Sequence, residues 1–151
     1  MGTRRGGGHL AKRLEETGRT IYCGDVIDRG YKDTHIFDFI KDDTAWVPDA
    51  DIVTNPPYKY AKEFVLKALA QVAPGHKVCM FLKLTFLEGK ARLQELFSKY
   101  PPKKIWVFSE RVMCAKNGDF DGMKAGGGSA VAYAWFIWEK GYKGETTIGW
   151  L

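Results

Sequence analysis

The stretch that most constrains this chain is Asp51-Ile52-Val53-Thr54-Asn55-Pro56-Pro57-Tyr58, where a short β-branched run stops at an amide, two prolines and an aromatic ring. Such a run reads as a buried strand. Prolines lack the amide hydrogen that the next rung of a ladder needs, so the strand ends at Asn55. In open α/β sheets ligands bind beyond the carboxyl ends of the strands. Pro57 restricts Pro56 to an extended conformation, which is expected to turn the Pro56 carbonyl outward. The sequence thus predicts two fixed acceptors, the Asn55 side-chain oxygen and the Pro56 carbonyl, beside one stacking ring, Tyr58. The plainer use of the same four residues is an Asx-type turn that closes a strand.

Two acceptors and a ring suit a planar substrate that carries an NH2 group. The lone pair of such an amine is delocalised into the ring, so the nitrogen is a poor nucleophile until its hydrogens are held by acceptors that favour a more pyramidal geometry. Residues Lys59 to Val72 follow with Phe64, Val65, Ala68, Leu69 and Val72 at helical spacing, which gives the order strand, motif, helix. Asn55 to Tyr58 match in full the (Asp/Asn/Ser)-Pro-Pro-(Tyr/Phe/Trp) motif of the amino-methyltransferases that use S-adenosylmethionine, and here the chain resembles that family. The resemblance implies a target of adenine N6 or, less often, cytosine N4 in DNA, flipped out of the helix before transfer. It also implies a catalytic set of Asn55, Pro56, Pro57 and Tyr58. Leu84-Thr85-Phe86-Leu87-Glu88-Gly89, then Arg92, Leu96-Phe97, Pro101-Pro102, Arg111 and Ala134-Trp135-Phe136-Ile137-Trp138 follow the order of small phage-type DNA adenine methyltransferases, so the likeness runs from Gly6 to Lys140.

The remaining elements are read from periodicity and punctuation. His9 to Thr17 is predicted helical and ended by Gly18, and Thr20 to Cys23 a strand closed by Gly24-Asp25. His35 to Ile40 is ambiguous. His76 to Leu84 reads as a buried strand, Gly89 to Tyr100 as a helix, Ile105 to Phe108 and Ala130 to Glu139 as strands, and Thr146 to Trp150 as a short edge strand. Trp135 and Trp138 are expected in the core. At 151 residues this is expected to be one domain. Strands alternating with helices and finished by two late strands predict an α/β fold: a doubly wound, Rossmann-like methyltransferase sheet with an antiparallel C-terminal strand.

Cofactor residues follow from the resemblance. Gly6-Gly7-Gly8-His9 looks like the end of the family's Gly-x-Gly loop, with Gly6 and Gly8 as its glycines, which allow close backbone approach to the amino-acid end of S-adenosylmethionine. Asp25 falls where the family places the acceptor for the ribose hydroxyls. Asp38-Phe39 resembles the next motif, an acid for the cofactor adenine's amine and a ring along its face. The chain departs from the family where an acidic residue and a proline should precede the first glycine, since Gly2 and Thr3 stand there. The first central strand is therefore expected to be missing, with the sheet closing up, a second chain or homodimer partner filling the gap, or the chain being a fragment. Weak or absent cofactor binding by this chain alone is the corollary.

Charge and cysteine usage bound the partners. The net charge is +5, and Gly89 to Lys116 hold seven Lys or Arg against two Glu. That basic segment, 89–116, and the glycine-rich loop at 112–129 are the expected DNA contacts. Cys23, Cys79 and Cys114 are far apart and lack metal-ligand spacing, so they read as reduced thiols of a soluble, cytoplasmic protein. No metal is expected. Gly24-Asp25-Val26-Ile27-Asp28-Arg29-Gly30 also matches one motif of dinuclear metallophosphoesterases, but the further Asp-x-His and Asn-His-Glu ligands are absent. Two more functions are compatible with the tetrapeptide and the basic segment: a degenerate, non-catalytic nucleic-acid-binding module, and a methyltransferase acting on RNA guanine or protein glutamine.

Overall fold

The computed structural model describes residues 8–43, 49–112 and 131–151. They form a mixed α/β fold whose strands fall into a two-stranded parallel sheet and a five-stranded mixed sheet. Where the sequence reads as one domain, the chain divides into two compact units, one holding the described residues 8–43 and the other 49–112 with 131–151.

In the larger unit the strand order is β3-β4-β6-β5-β7, with β3 at Ile52–Thr54, β4 at Lys77–Lys83, β5 at Lys104–Val107, β6 at Tyr133–Glu139 and β7 at Thr147–Trp150. β3 and β4 are parallel and joined by helix α2 (Ala61–Gln71), a crossover of the βαβ kind. β6 runs antiparallel to both β4 and β5, whereas the C-terminal strand β7, expected to be the antiparallel one, pairs parallel with β5. Four apolar residues of α2, Ala61, Val65, Ala68 and Leu69, are buried as one stripe, and Glu63 in the first turn suits the positive end of the helix. Val72 leaves the helix in an extended conformation, two residues before Pro74.

Period-two alternation decides what each sheet face holds. Val78, Met80 and Leu82 of β4 are buried and pair with Trp138, Phe136 and Ala134 of β6, so these six residues share a face. Phe86 stands edge-on to Phe136 at 5.7 Å and to Phe97 at 5.7 Å, which brings the segment after β4 onto that face. Trp138 is 1% exposed and donates its indole N–H to the Tyr100 carbonyl at 3.0 Å, so its one polar atom is satisfied. Trp135 lies on the opposite face with Tyr133 and Phe81 and is only half-buried.

Several boundaries differ from the sequence reading, each for an identifiable reason. The helix expected over Gly89 to Tyr100 is helix α3 (Lys90–Arg92) followed by a π-helical turn at Leu93–Phe97. There the Ser98 N–H donates to the Leu93 carbonyl at 2.9 Å, and the widened turn sets Leu96 into the core while Leu93 stays 57% exposed. β7 lies parallel to β5 with Gly149 opposite Trp106; a Cβ on Gly149 would overlap the indole, so only glycine lets that ring lie across the edge strand.

The smaller unit contains helix α1 (His9–Glu15) and strands β1 (Cys23–Asp25) and β2 (Thr34–Ile36). β1 begins at Cys23 instead of Thr20 because β2 offers it only three partners, Thr34, His35 and Ile36. His35, which opens the segment whose pattern was ambiguous, is therefore a strand residue. None of the described residues of this unit is buried. Among the described residues no helix is long and apolar enough to cross a membrane.

Candidate active site

Asn55 leaves β3 one residue after its last rung, Thr54 against Met80. The prolines stop the ladder as their chemistry requires, and Tyr58 opens a single 3-10 turn, Tyr58–Tyr60, closed by the Tyr60 N–H donating to the Pro57 carbonyl at 2.9 Å. Asn55 is exposed, whereas Pro56 is buried. Neither the Asn55 side chain nor the Pro56 carbonyl has a hydrogen-bond partner among the described residues. An Asx turn would have spent the Asn55 oxygen on a nearby amide, and here it is not spent. A carbonyl that accepts no hydrogen bond from the protein keeps its acceptor capacity for an incoming N–H.

Tyr58 is 37% exposed and stands at the end of a row of rings. Its centroid is 6.1 Å from that of Tyr133 at a tilt of 41°, and Tyr133 stacks on Phe81 at 5.1 Å and 10°. Phe108 and Trp135 meet Phe81 edge-on at 5.8 and 5.4 Å. The ammonium of Lys83 is 5.0 Å from the Tyr58 centroid. Tyr133, Phe81 and Lys83 were not singled out in the sequence. Phe81 and Lys83 share a strand face by simple alternation, but only the register of β6 places Tyr133 opposite Lys83.

The residues implied for the cofactor lie in the smaller unit, apart from Gly6, which is outside the described residues. Gly8 precedes α1 with φ +67°, and a Cβ there would collide with the Tyr31 ring, so the backbone approach that the glycine permits is taken by Tyr31. Burial, with Glu15 close by, pushes the Tyr31 phenol up to about 12. At the end of β1, Asp25 accepts from the Ile27 N–H at 3.2 Å and pairs with the Arg29 Nε at 2.9 Å. Asp38 accepts from the Ile40 and Lys41 amides at 3.0 and 3.2 Å. Partial burial raises the Asp38 carboxyl, but those amides and the Lys41 ammonium outweigh it and hold the group below its ordinary value. The Phe39 ring is 6.4 Å from that of Phe37. The two carboxylates have the chemistry to accept from ribose hydroxyls and an adenine amine, yet the approach at Gly8 is closed, so the set fits S-adenosylmethionine only in part.

The described part of the basic segment carries its charge unevenly. Lys103 is paired with Glu139 at 2.6 Å, whereas Lys104 lies over the Trp106 ring at 4.5 Å. Residues 113–116, and all but Val112 of the loop 112–129, lie outside the described residues, as does Cys114. Among the described residues no group of His, Cys, Asp and Glu is arranged to hold a metal. Comparison with known proteins yields no matching family model and no matching curated protein.

Proposed function

We propose that the chain is an S-adenosylmethionine-dependent methyltransferase domain acting on an exocyclic amine, with adenine N6 in DNA as the substrate. One observation carries this reading: at the end of β3 the Asn55 amide and the Pro56 carbonyl are both without intramolecular partners among the described residues and stand close in the chain to the half-exposed ring of Tyr58. The parallel β3-α2-β4 unit and the antiparallel β6 support it, because they follow the order of elements that the family uses. Asn55 Oδ1 accepts one hydrogen of the NH2 group and the Pro56 carbonyl the other, which returns the lone pair to the nitrogen without any strong base. Tyr58 holds the base by stacking, worth about 1–3 kcal/mol per base. When bound, the cofactor supplies the methyl group.

Methyl transfer from labelled cofactor to adenine-containing DNA tests the proposal. Asn55→Ala is expected to lower transfer by at least about 100-fold, by analogy with removal of one preorganised hydrogen-bonding group from a reacting centre, and to leave the fold intact. Wild-type rates in both Asn55→Ala and Tyr58→Ala would remove the site assignment. A second reading, a domain that binds nucleic acid without methyl transfer, is favoured by the engagement of Gly8, Asp25 and Asp38 within their own unit. Calorimetry separates the two, because low-micromolar S-adenosylmethionine binding contradicts the second reading, and salt-sensitive DNA binding with no transfer contradicts the first.

A further inference from the structure

Lys83 ends β4 on the face that carries Phe81, opposite Tyr133 across the ladder. Its side chain borders a cleft of about 90 Å³ whose other walls are Tyr58, Ala61, Leu82, Thr85, Phe86 and Arg92. Arg92 is held by neutral groups only: its Nε donates to the Glu88 carbonyl at 2.8 Å, one Nη donates to the carbonyls of Glu88 and Thr85, and its guanidinium carbon is 5.2 Å from the Phe86 centroid. Lys83 meets only the Tyr58 ring among the described residues. Neither cation has a carboxylate partner among them. The lining of the cleft therefore carries two positive charges and no carboxylate.

We infer that Lys83 and Arg92 form a phosphate-binding subsite that takes the phosphate of the nucleotide whose base stacks on Tyr58. This rests on the reading of Asn55 to Tyr58 as a base site. The guanidinium is preorganised by its carbonyl contacts and the ammonium is a mobile point charge, a pairing suited to phosphate oxygens. The cleft is large enough for a phosphate group. A base seated on Tyr58 carries its phosphate one sugar away, within reach of an ammonium that lies 5.0 Å from that ring. A second cleft among the described residues, of about 330 Å³, is walled by Leu87, Phe97, Pro101, Pro102, Ile105 and Ile148 with Thr146, and it offers a phosphate no charge.

The test is an NMR titration of the whole chain with adenosine and with adenosine 5′-monophosphate at low ionic strength. The wild-type protein is expected to bind the monophosphate about tenfold more tightly than the nucleoside, as charge-assisted hydrogen bonds require. Lys83→Met, which leaves Arg92 in place, should lower that ratio at least about threefold, and Lys83→Arg should preserve it. Equal affinities in the wild-type protein overturn the subsite, as does a ratio that survives Lys83→Met. If the two ligands bind equally and Tyr58→Ala still weakens adenosine, the base site stands and the phosphate subsite alone falls. If neither ligand binds, or Tyr58→Ala changes nothing, the base site falls and the subsite with it.

Discussion

The two units of this protein are held together by different physics. Among the described residues every fully buried side chain, from Val65 to Trp138, belongs to the larger unit. The described part of the smaller unit has no buried residue, and its order comes from a three-rung ladder, Asx turns at Asp25, Asp28 and Asp38, and exposed ion pairs such as Arg29 with Asp25. Exposed pairs contribute about 0–1 kcal/mol each, whereas a buried large apolar side chain contributes about 1.5–3. The proposed amine-presenting residues stand on the well-packed unit and the proposed cofactor residues on the thinly packed one. The largest effect expected from this contrast is in hydrogen exchange. Amides of β4 and β6 should exchange only by global opening, at least about 1,000-fold more slowly than those of β1 and β2, which open locally. Equal protection in the two sheets would erase the comparison.

Truncating side chains sharpens it. Phe136→Ala removes a ring that is 0% exposed and packs against Trp138 and Phe86, and should cost about 3–5 kcal/mol in a denaturant titration. Leu96→Ala, at the π-helical turn, should cost about 2–5 kcal/mol. Ile36→Ala in β2 removes a side chain that is already 54% exposed, and should change stability by less than about 1 kcal/mol. A loss at Ile36 as large as that at Phe136 would mean that the smaller unit has a core of its own.

What could be read in the sequence follows the same division. β3, its proline stop and α2 were legible because β-branched residues, two prolines and a 3.6-residue apolar period are local signals. β4 was legible within a residue at each end. The π-helical turn at Leu93 to Phe97 was not, because a single widened turn follows from tertiary packing and leaves no mark in the local apolar pattern. The insertion of β6 between β4 and β5, and with it the ring row from Tyr58 through Tyr133 to Phe81, depends on register between residues far apart in the chain. In the smaller unit the resemblance implied a ligand's role for Asp25 and Asp38, whereas each accepts from the amide two residues on and closes a turn. The sequence alone did not weigh the Arg29 partner four residues on, and no local pattern announced Tyr31 over Gly8.

The thiols give a chemical version of the comparison, since Cys23 lies in one unit and Cys79 in the other. Burial, with Asp51 adding to it, pushes the Cys79 thiol up to about 11, and burial raises that of Cys23 as well, with Glu15 beside it. A thiol at 11 is about one part in a thousand thiolate at pH 8, and the thiolate is the reacting species. In native protein at pH 8, Cys23 should react with iodoacetamide at least about tenfold faster than Cys79, as read from the two peptides by mass. In denaturant the rates should converge. A native Cys79 that reacts as fast as Cys23 would show that β4 opens as readily as β1.

The smallest expected effect is the acid response. Glu95 in the larger unit is held below its ordinary value by the Lys62 ammonium, and Asp38 in the smaller unit is held low by its turn amides and Lys41. A carboxyl with a depressed folded-state value stabilises above its unfolded value and loses that contribution as pH falls through the folded one. For Glu95 that means full stabilisation above its usual 4.5 and loss beneath it. Lys62 is raised by Glu95, so its share is complete below 10.5 and lost as pH climbs past its folded value. Loss of the Lys62–Glu95 pair subtracts little from a unit with a full core, whereas protonating Asp38 removes the acceptor that closes the turn after β2. On acidification the Ile40 and Lys41 amides should therefore lose protection first, while the amides of β4 and β6 stay protected. Simultaneous loss at Ile40 and Met80 would indicate that one cooperative transition covers both units, and would end the contrast.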